Sequence, residues 1–195
     1  MARRDRRQEI MAAAEKLFTS RRYHEITTDD IARLARVGKG TIYRLFEDKD
    51  DLFFQIATSG FDEMCDLLHR KVPEKAPFLK QLLSACREIR AFFDRRRELF
   101  RMMQAEDGRM RLCGRSLRER WLARRQKLVA ALAEIFRKGV REGAIRSDIR
   151  PDVLANLLLG MLRTRARDLE DLPERARRIE LIVDLFCYGA GQGKV

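Results

Sequence analysis

The stretch from Thr27 to Phe53, TTDDIARLARVGKGTIYRLFEDKDDLF, constrains this chain more than any other. It encodes two short helices, a tight turn between them and the start of a longer helix. Thr27 or Thr28 offers a cap hydroxyl to the free backbone amides of the first turn, and Asp29 and Asp30 suit that positive helix end. Ile31, Leu34 and Ala35 then share one helical face. The second helix opens near Gly38 and turns Val37, Ile42 and Phe46 to the same core. Lys39, Thr41, Tyr43 and Arg44 are left outside. An apolar underside beneath a cationic, hydroxyl-bearing face fits a helix lying in a DNA major groove.

The residues Thr27-Thr28, Ile31-Ala32, Ala35, Val37, Lys39 to Tyr43, Phe46, Lys49 and Leu52-Phe53 resemble the DNA-binding segment of the TetR (tetracycline-repressor-like) family of bacterial transcription regulators. The resemblance covers roughly Glu9 to Phe54, about the first quarter of the chain. It implies roles for individual residues. Thr27 or Thr28 and Tyr43 would hydrogen-bond phosphates, and Lys49 would pair with one as a mobile point charge. Lys39, Thr41 and Arg44 would reach base edges, Arg44 as a fork to guanine and the Thr41 methyl against thymine. Gly40 would let the helix press close to the DNA backbone. Two positions depart from the family pattern: Arg36 stands where the turn commonly has glycine, and Gly38 where the cap is commonly serine. A left-handed Arg36 would cost roughly 1 kcal/mol that glycine would not, with a phosphate contact as its compensation. A glycine cap is only slightly worse than serine.

Beyond this segment, 195 residues allow one compact body or a small domain joined to a larger one. Strand-like alternation is nowhere sustained, and only four prolines and eleven glycines punctuate the chain. The expected class is all-α, with about nine helices. The resemblance implies a three-helix helix-turn-helix DNA-binding domain over residues 1–48, followed by a helical ligand-binding and dimerisation domain over 49–195. Helices are expected over 3–20, 49–70, from Pro77, over 117–140 with Gly143 as the stop, from Pro151, and from about Pro173 to Tyr188. VPEKAP, residues 72–77, is the clearest break. Arg3, Arg4, Arg6 and Arg7 lie off the core stripe of the first helix. They fit a flexible basic arm on DNA and a solvated terminus equally well.

In the family resembled, the C-terminal part dimerises and often encloses an inducer. Residues 153–162, VLANLLLGML, are apolar almost all round, more than one neighbouring helix covers, though a fully buried core helix would read the same. Leu154, Leu158, Met161, Ile182 and Phe186 are the expected dimer contacts. Phe92, Phe93, Phe100, Met103 and Trp121 are candidate walls of a small-molecule pocket, a stripe that plain core would also produce.

The formal charge of +12 lies mostly outside the reader: residues 1–48 carry 11 Lys/Arg against 8 Asp/Glu. Specificity is therefore expected to rest on individual side chains rather than on bulk attraction. Four scattered cysteines without C-x-x-C spacing read as reduced thiols. Cys65 and His69 stand at i, i+4, but nothing brings a third ligand such as Cys86 to them, so neither metal nor cofactor is expected. No nucleotide-binding or hydrolase motif occurs, and His24 and His69 are the only histidines, which argues against an enzyme. The terminus MARRDRRQ is unlike a signal peptide, and no apolar run is long enough for a bilayer, so a cytoplasmic protein without membrane contact is expected. The leading reading is a homodimeric repressor on a near-palindromic double-stranded DNA operator, released by an unidentified small-molecule effector. The alternative is a DNA-bound protein–protein interaction module of the same fold.

Overall fold

The computed structural model describes residues 2–99 and 115–190, with side chains from 5 to 99 and from 119 to 189. The helices are α1 (Ala2–Ser20), α2 (Thr28–Leu34), α3 (Lys39–Leu45), α4 (Lys49–Lys71), α5 (Phe78–Arg95), α6 (Arg115–Arg141), α7 (Pro151–Arg167) and α8 (Ile179–Ala190). Short 3-10 turns lie at Tyr23–Glu25 and Glu174–Ala176. No strand occurs among the described residues, and the fold is all-α. Two compact units form, Met1–Gly60 with Arg96–Leu122 and Phe61–Arg95 with Ala123–Val195.

In the first unit, Ile10, Ala14 and Phe18 of α1 meet Ile31 and Ala32 of α2, Ile42 and Phe46 at α3, and Leu52, Phe53 and Ile56 of α4 in one buried cluster. The Phe18, Tyr23 and Phe53 rings pack mutually, with centroids 5.4, 5.3 and 5.1 Å apart. This core lies under α2 and α3 and fixes their mutual angle. The terminal arginines belong to α1, which begins at Ala2, one residue before the expected start. Arg7 stands over the Phe46 ring, 5.1 Å from its centroid, a cation–π contact that favours the helical turn over fraying.

The second unit packs α5 against α7 and α8. Phe136 of α6 lies 6.1 Å from the Phe78 ring and 5.4 Å from the Phe186 ring. A Cβ at Gly139 would stand 2.6 Å from the Phe78 ring, so the approach of α5 to α6 depends on that glycine. The VPEKAP break is tied down: Lys138 Nζ donates to the carbonyls of Glu74 and Ala76 at 3.0 and 2.7 Å. Glu142 caps α5 by accepting from the Phe78 N–H at 2.9 Å. Gly143, at φ +71°, ends α6 as expected. Its N–H donates to Val140 and that of Ala144 to Gly139, at 3.1 and 2.9 Å.

The last helix begins later than the sequence implies. Pro173 opens only a 3-10 turn, and the backbone of Arg177 leaves helical geometry before Ile179. The cause is Arg165, which is 1% exposed. It donates to the Arg177 carbonyl at 2.7 Å and to the Glu174 carboxylate at 3.3 Å, which leaves that carbonyl turned towards the guanidinium. Asn156, the polar residue inside the apolar run, accepts from Arg125 of α6 at 2.5 Å. Among the described residues, no helix is long and apolar enough to cross a membrane.

Candidate nucleic-acid interface

Thr27 is the cap of α2, in a reciprocal box with Asp30. Its Oγ1 accepts from the Asp30 N–H at 3.1 Å, and the Asp30 carboxylate accepts from the Thr27 N–H and hydroxyl at 3.0 and 2.7 Å. These bonds, the side-chain one foremost, hold the Asp30 carboxyl below the usual carboxylate range. The Thr27 hydroxyl thus belongs to the helix end. The Thr28 hydroxyl accepts from the Tyr43 hydroxyl at 3.4 Å, so these two groups share one edge of the surface.

The turn closes with the Arg36 N–H donating to Arg33 and the Val37 N–H to Ala32, at 3.2 and 3.0 Å. This pairing requires a left-handed residue at position 36, and Arg36 sits at φ 54°. The same device ends α6, but with glycine. Arg36→Gly is therefore expected to stabilise the chain by up to about 1 kcal/mol. A denaturant melt with an unmoved or lowered midpoint would show that the turn carries no strain.

Gly38 caps α3 without a side chain, in extended conformation. Ile42 and Phe46 are buried beneath the helix, whereas Lys39, Gly40, Tyr43 and Arg44 are exposed and Thr41 is half-buried. A side chain at Gly40 would meet nothing within 4 Å, so the glycine leaves the outer surface low. Arg36 and Arg44 point outward with no ion pair among the described residues. Lys39 is paired: its Nζ lies 2.9 Å from the Asp29 carboxylate across the turn. That hydrogen bond, with the carboxylate's charge, raises the pKa of the ammonium.

Lys49 faces inward. Its Nζ donates to the carbonyls of Tyr23 and Ile26 at 3.0 and 2.6 Å and lies 4.1 Å from the Tyr23 ring centroid. In this geometry it bolts the turn before α2 to the start of α4, and the phosphate pairing implied by the family would need it to leave three contacts. Tyr23 completes the bolt by donating its hydroxyl to Asp50. Asp29, expected to suit the positive end of α2, also holds Lys39. Its partner is ten positions away across the turn, outside any i+3 or i+4 pattern, so no local signal shows the pair.

The other expected sites are distributed differently. Phe92 and Phe93 are buried within α5, their centroids 6.0 Å apart, whereas Trp121 belongs to the first unit. Phe100 and Met103 lie outside the described residues. A groove of about 520 Å³ opens between α4 and α6, lined by Asp62, Cys65, Asp66, His69, Lys127 and Glu134 with Ala130 and Ala131. Cys65 and His69 do share that groove. Among the described residues no group of three His, Cys, Asp or Glu could hold a metal ion. Of the expected dimer contacts, Leu154, Leu158, Ile182 and Phe186 are already buried within their own chain, and Met161 is half-buried. Burial by α5 and between α7 and α8 has turned these residues inward. The outward apolar side of the two helices is carried by Val153, Leu157, Leu185 and Tyr188, exposed by 42, 56, 59 and 87%.

The family model described as bacterial regulatory proteins, tetR family, matches residues 10–56, the segment that holds this surface. The uncharacterized HTH-type transcriptional regulator YhgD of Bacillus subtilis is 30% identical over 80% of this chain and 79% of its own length. The HTH-type transcriptional repressor Rv1474c of Mycobacterium tuberculosis is 25% identical over 91% of this chain and 90% of its own. Among solved structures, the transcriptional regulator FadR of Bacillus subtilis in complex with stearoyl-CoA superposes with a TM-score of 0.79 at 18% identity. That match covers 93% of this chain and 98% of the other.

Proposed function

Because this chain belongs to the tetR family of bacterial regulatory proteins and is a helix-turn-helix transcription regulator, we propose that it works as a homodimeric repressor whose hold on a near-palindromic operator is released by a small-molecule effector. One observation supports the reading role above all others. A seven-residue helix, α3, is anchored from below by Ile42 and Phe46 and presents Thr41, Arg44 and the paired Lys39 outward. Arg44 has the reach and the fork to donate to guanine O6 and N7 in a major groove. Arg36 and Tyr43 flank it and would position the helix on phosphates, which carry no sequence information.

Dimerisation would use the outward stripes of α7 and α8. Val153, Leu157, Gly160 and Met161 follow at i, i+4, i+7 and i+8, and Leu181, Leu185, Tyr188 and Gly189 repeat the spacing. Added Cβ atoms at Gly160 and Gly189 would meet nothing within 4 Å, so both glycines leave room for a close helix approach. Two α7–α8 pairs about a two-fold axis would form a four-helix bundle. Paired readers about 34–36 Å apart, or a multiple of this, would then meet successive major grooves. An effector that favours another spacing would lower DNA affinity by its differential binding to the two states. Residues of α4, divided between the two units, would transmit that change.

Selection of bound duplexes from a random pool, with and without stearoyl-CoA as the first trial ligand, tests this reading. Enrichment of a near-palindrome is expected, and its absence would sink the proposal. Arg44→Ala is expected to weaken binding by about 1–3 kcal/mol per half-site and to relax the preference at one base pair, with the fold unchanged. An equal loss on every sequence would move Arg44 from the bases to the phosphates.

A further inference from the structure

We infer that Asp29 is a specificity-determining residue of the reading surface, forming with Lys39 a net-neutral pair that reads hydrogen-bonding base edges in place of phosphate charge. The inference rests on the DNA-reading function proposed above.

Lys39 is the first residue of α3, where the positive end of the helix disfavours a cation. Asp29 lies in the first turn of α2, where a carboxylate is favoured. The 2.9 Å contact between them relieves the first position with a group that is stable in the second. Both side chains stay open to solvent, 49% exposed for Lys39 and 64% for Asp29, so the pair lies on the surface that would face DNA.

Such a pair differs from a lone lysine in what it recognises. A lone ammonium is attracted to every phosphate, and each phosphate neutralised adds to salt-dependent, sequence-independent affinity. The carboxylate cancels that attraction and repels a phosphate brought close to it. It occupies only one of the three ammonium N–H donors. Two remain for guanine O6 and N7, while the carboxylate itself can accept from cytosine N4. Neutral base edges are not repelled. The pair therefore retains the donor and acceptor pattern that distinguishes bases and gives up the charge that does not. Arg36, which has no such partner among the described residues, is left to supply the electrostatic hold on phosphates.

The test titrates full-length wild type, Asp29→Asn, Lys39→Ala and the double variant onto a duplex recovered by selection and onto its shuffled counterpart, over a range of salt. Asp29→Asn is expected to tighten binding to the shuffled duplex. It should steepen the log–log salt dependence by about 0.9 per subunit, the increment of one added phosphate contact. The ratio of selected to shuffled affinity should fall by roughly three- to tenfold. In the Lys39→Ala background the same change should leave slope and ratio nearly unmoved. An unchanged ratio, or an equal slope change with and without Lys39, would overturn the inference by reducing Asp29 to an isolated charge. If wild type fails to distinguish the two duplexes, the DNA-reading function falls with it. Wild-type discrimination that Asp29→Asn leaves intact removes only the role of the pair. Thermal melts of all four proteins separate these outcomes from loss of folding.

Discussion

Leu157→Glu is expected to yield a folded chain that no longer dimerises and binds its operator roughly 10²- to 10⁴-fold more weakly. Leu157 is 56% exposed at the middle of the outward stripe of α7, between Val153 and Met161. In a lone chain the glutamate would simply be hydrated there. In a two-fold interface it would face its own copy or an apolar neighbour, so two carboxylates would lose water without gaining a partner. The operator effect follows from linkage rather than contact. With two joined readers the second half-site is bound at a high effective concentration, and a monomer forfeits that advantage. Sedimentation of the variant and titration onto the selected duplex measure both parts. A dimer that persists with wild-type affinity would place the interface away from α7.

Leu158→Glu, one residue on, should act in another way and unfold the second unit. Leu158 is 0% exposed within its own chain. Truncating such a leucine to alanine costs about 2–5 kcal/mol through lost transfer energy and the cavity left behind. A glutamate adds the desolvation of a carboxylate with no partner, a cost that proteins evade by protonating the group or by opening the structure. Native stabilities are only about 5–15 kcal/mol, so the total is a large part of what is available. Near-ultraviolet circular dichroism and a urea titration should show lost tertiary packing, whereas Leu157→Glu should keep a native-like unfolding slope. A Leu158→Glu protein with a wild-type midpoint would contradict the burial seen here. Tight operator binding is expected to fall in both variants, and only the folding measurements tell the two causes apart.

The adjacent pair illustrates where sequence reading of this chain stops. Residues 153–162 are so uniformly apolar that periodicity cannot say which side the protein covers itself. Leu158 is named from the sequence as an interface residue, whereas in the packed chain Leu158 is 0% exposed and Leu157 beside it is 56% exposed. Arg165 is a stronger instance. An arginine near the end of a helix reads as a solvated charge, yet it is buried and paired with Glu174 and the Arg177 carbonyl, residues far from any helical repeat. The late start of α8 follows from the same contacts. Lys49 likewise carries the family pattern while its ammonium is engaged by Tyr23 and Ile26.

Interactions within about one helical turn were legible from the residues alone. Apolar spacing marks the helices, a threonine cap followed by acidic residues starts α2, and glycine at 143 stops α6. The short α3, with Ile42 and Phe46 below and Arg44 above, follows from the same local periodicity, as does the all-α class. The left-handed Arg36 is implied by the family resemblance, in which glycine commonly stands at that turn position, and its φ is 54°. Contacts over long sequence separation were not legible: the Asp29–Lys39 pair, the burial of Leu158 and the clamp around Arg165. Each depends on which surfaces of already formed helices meet, and many packings satisfy the same periodicity. Only the packed chain selects among them, because burial and charge pairing are properties of neighbours that local spacing does not name.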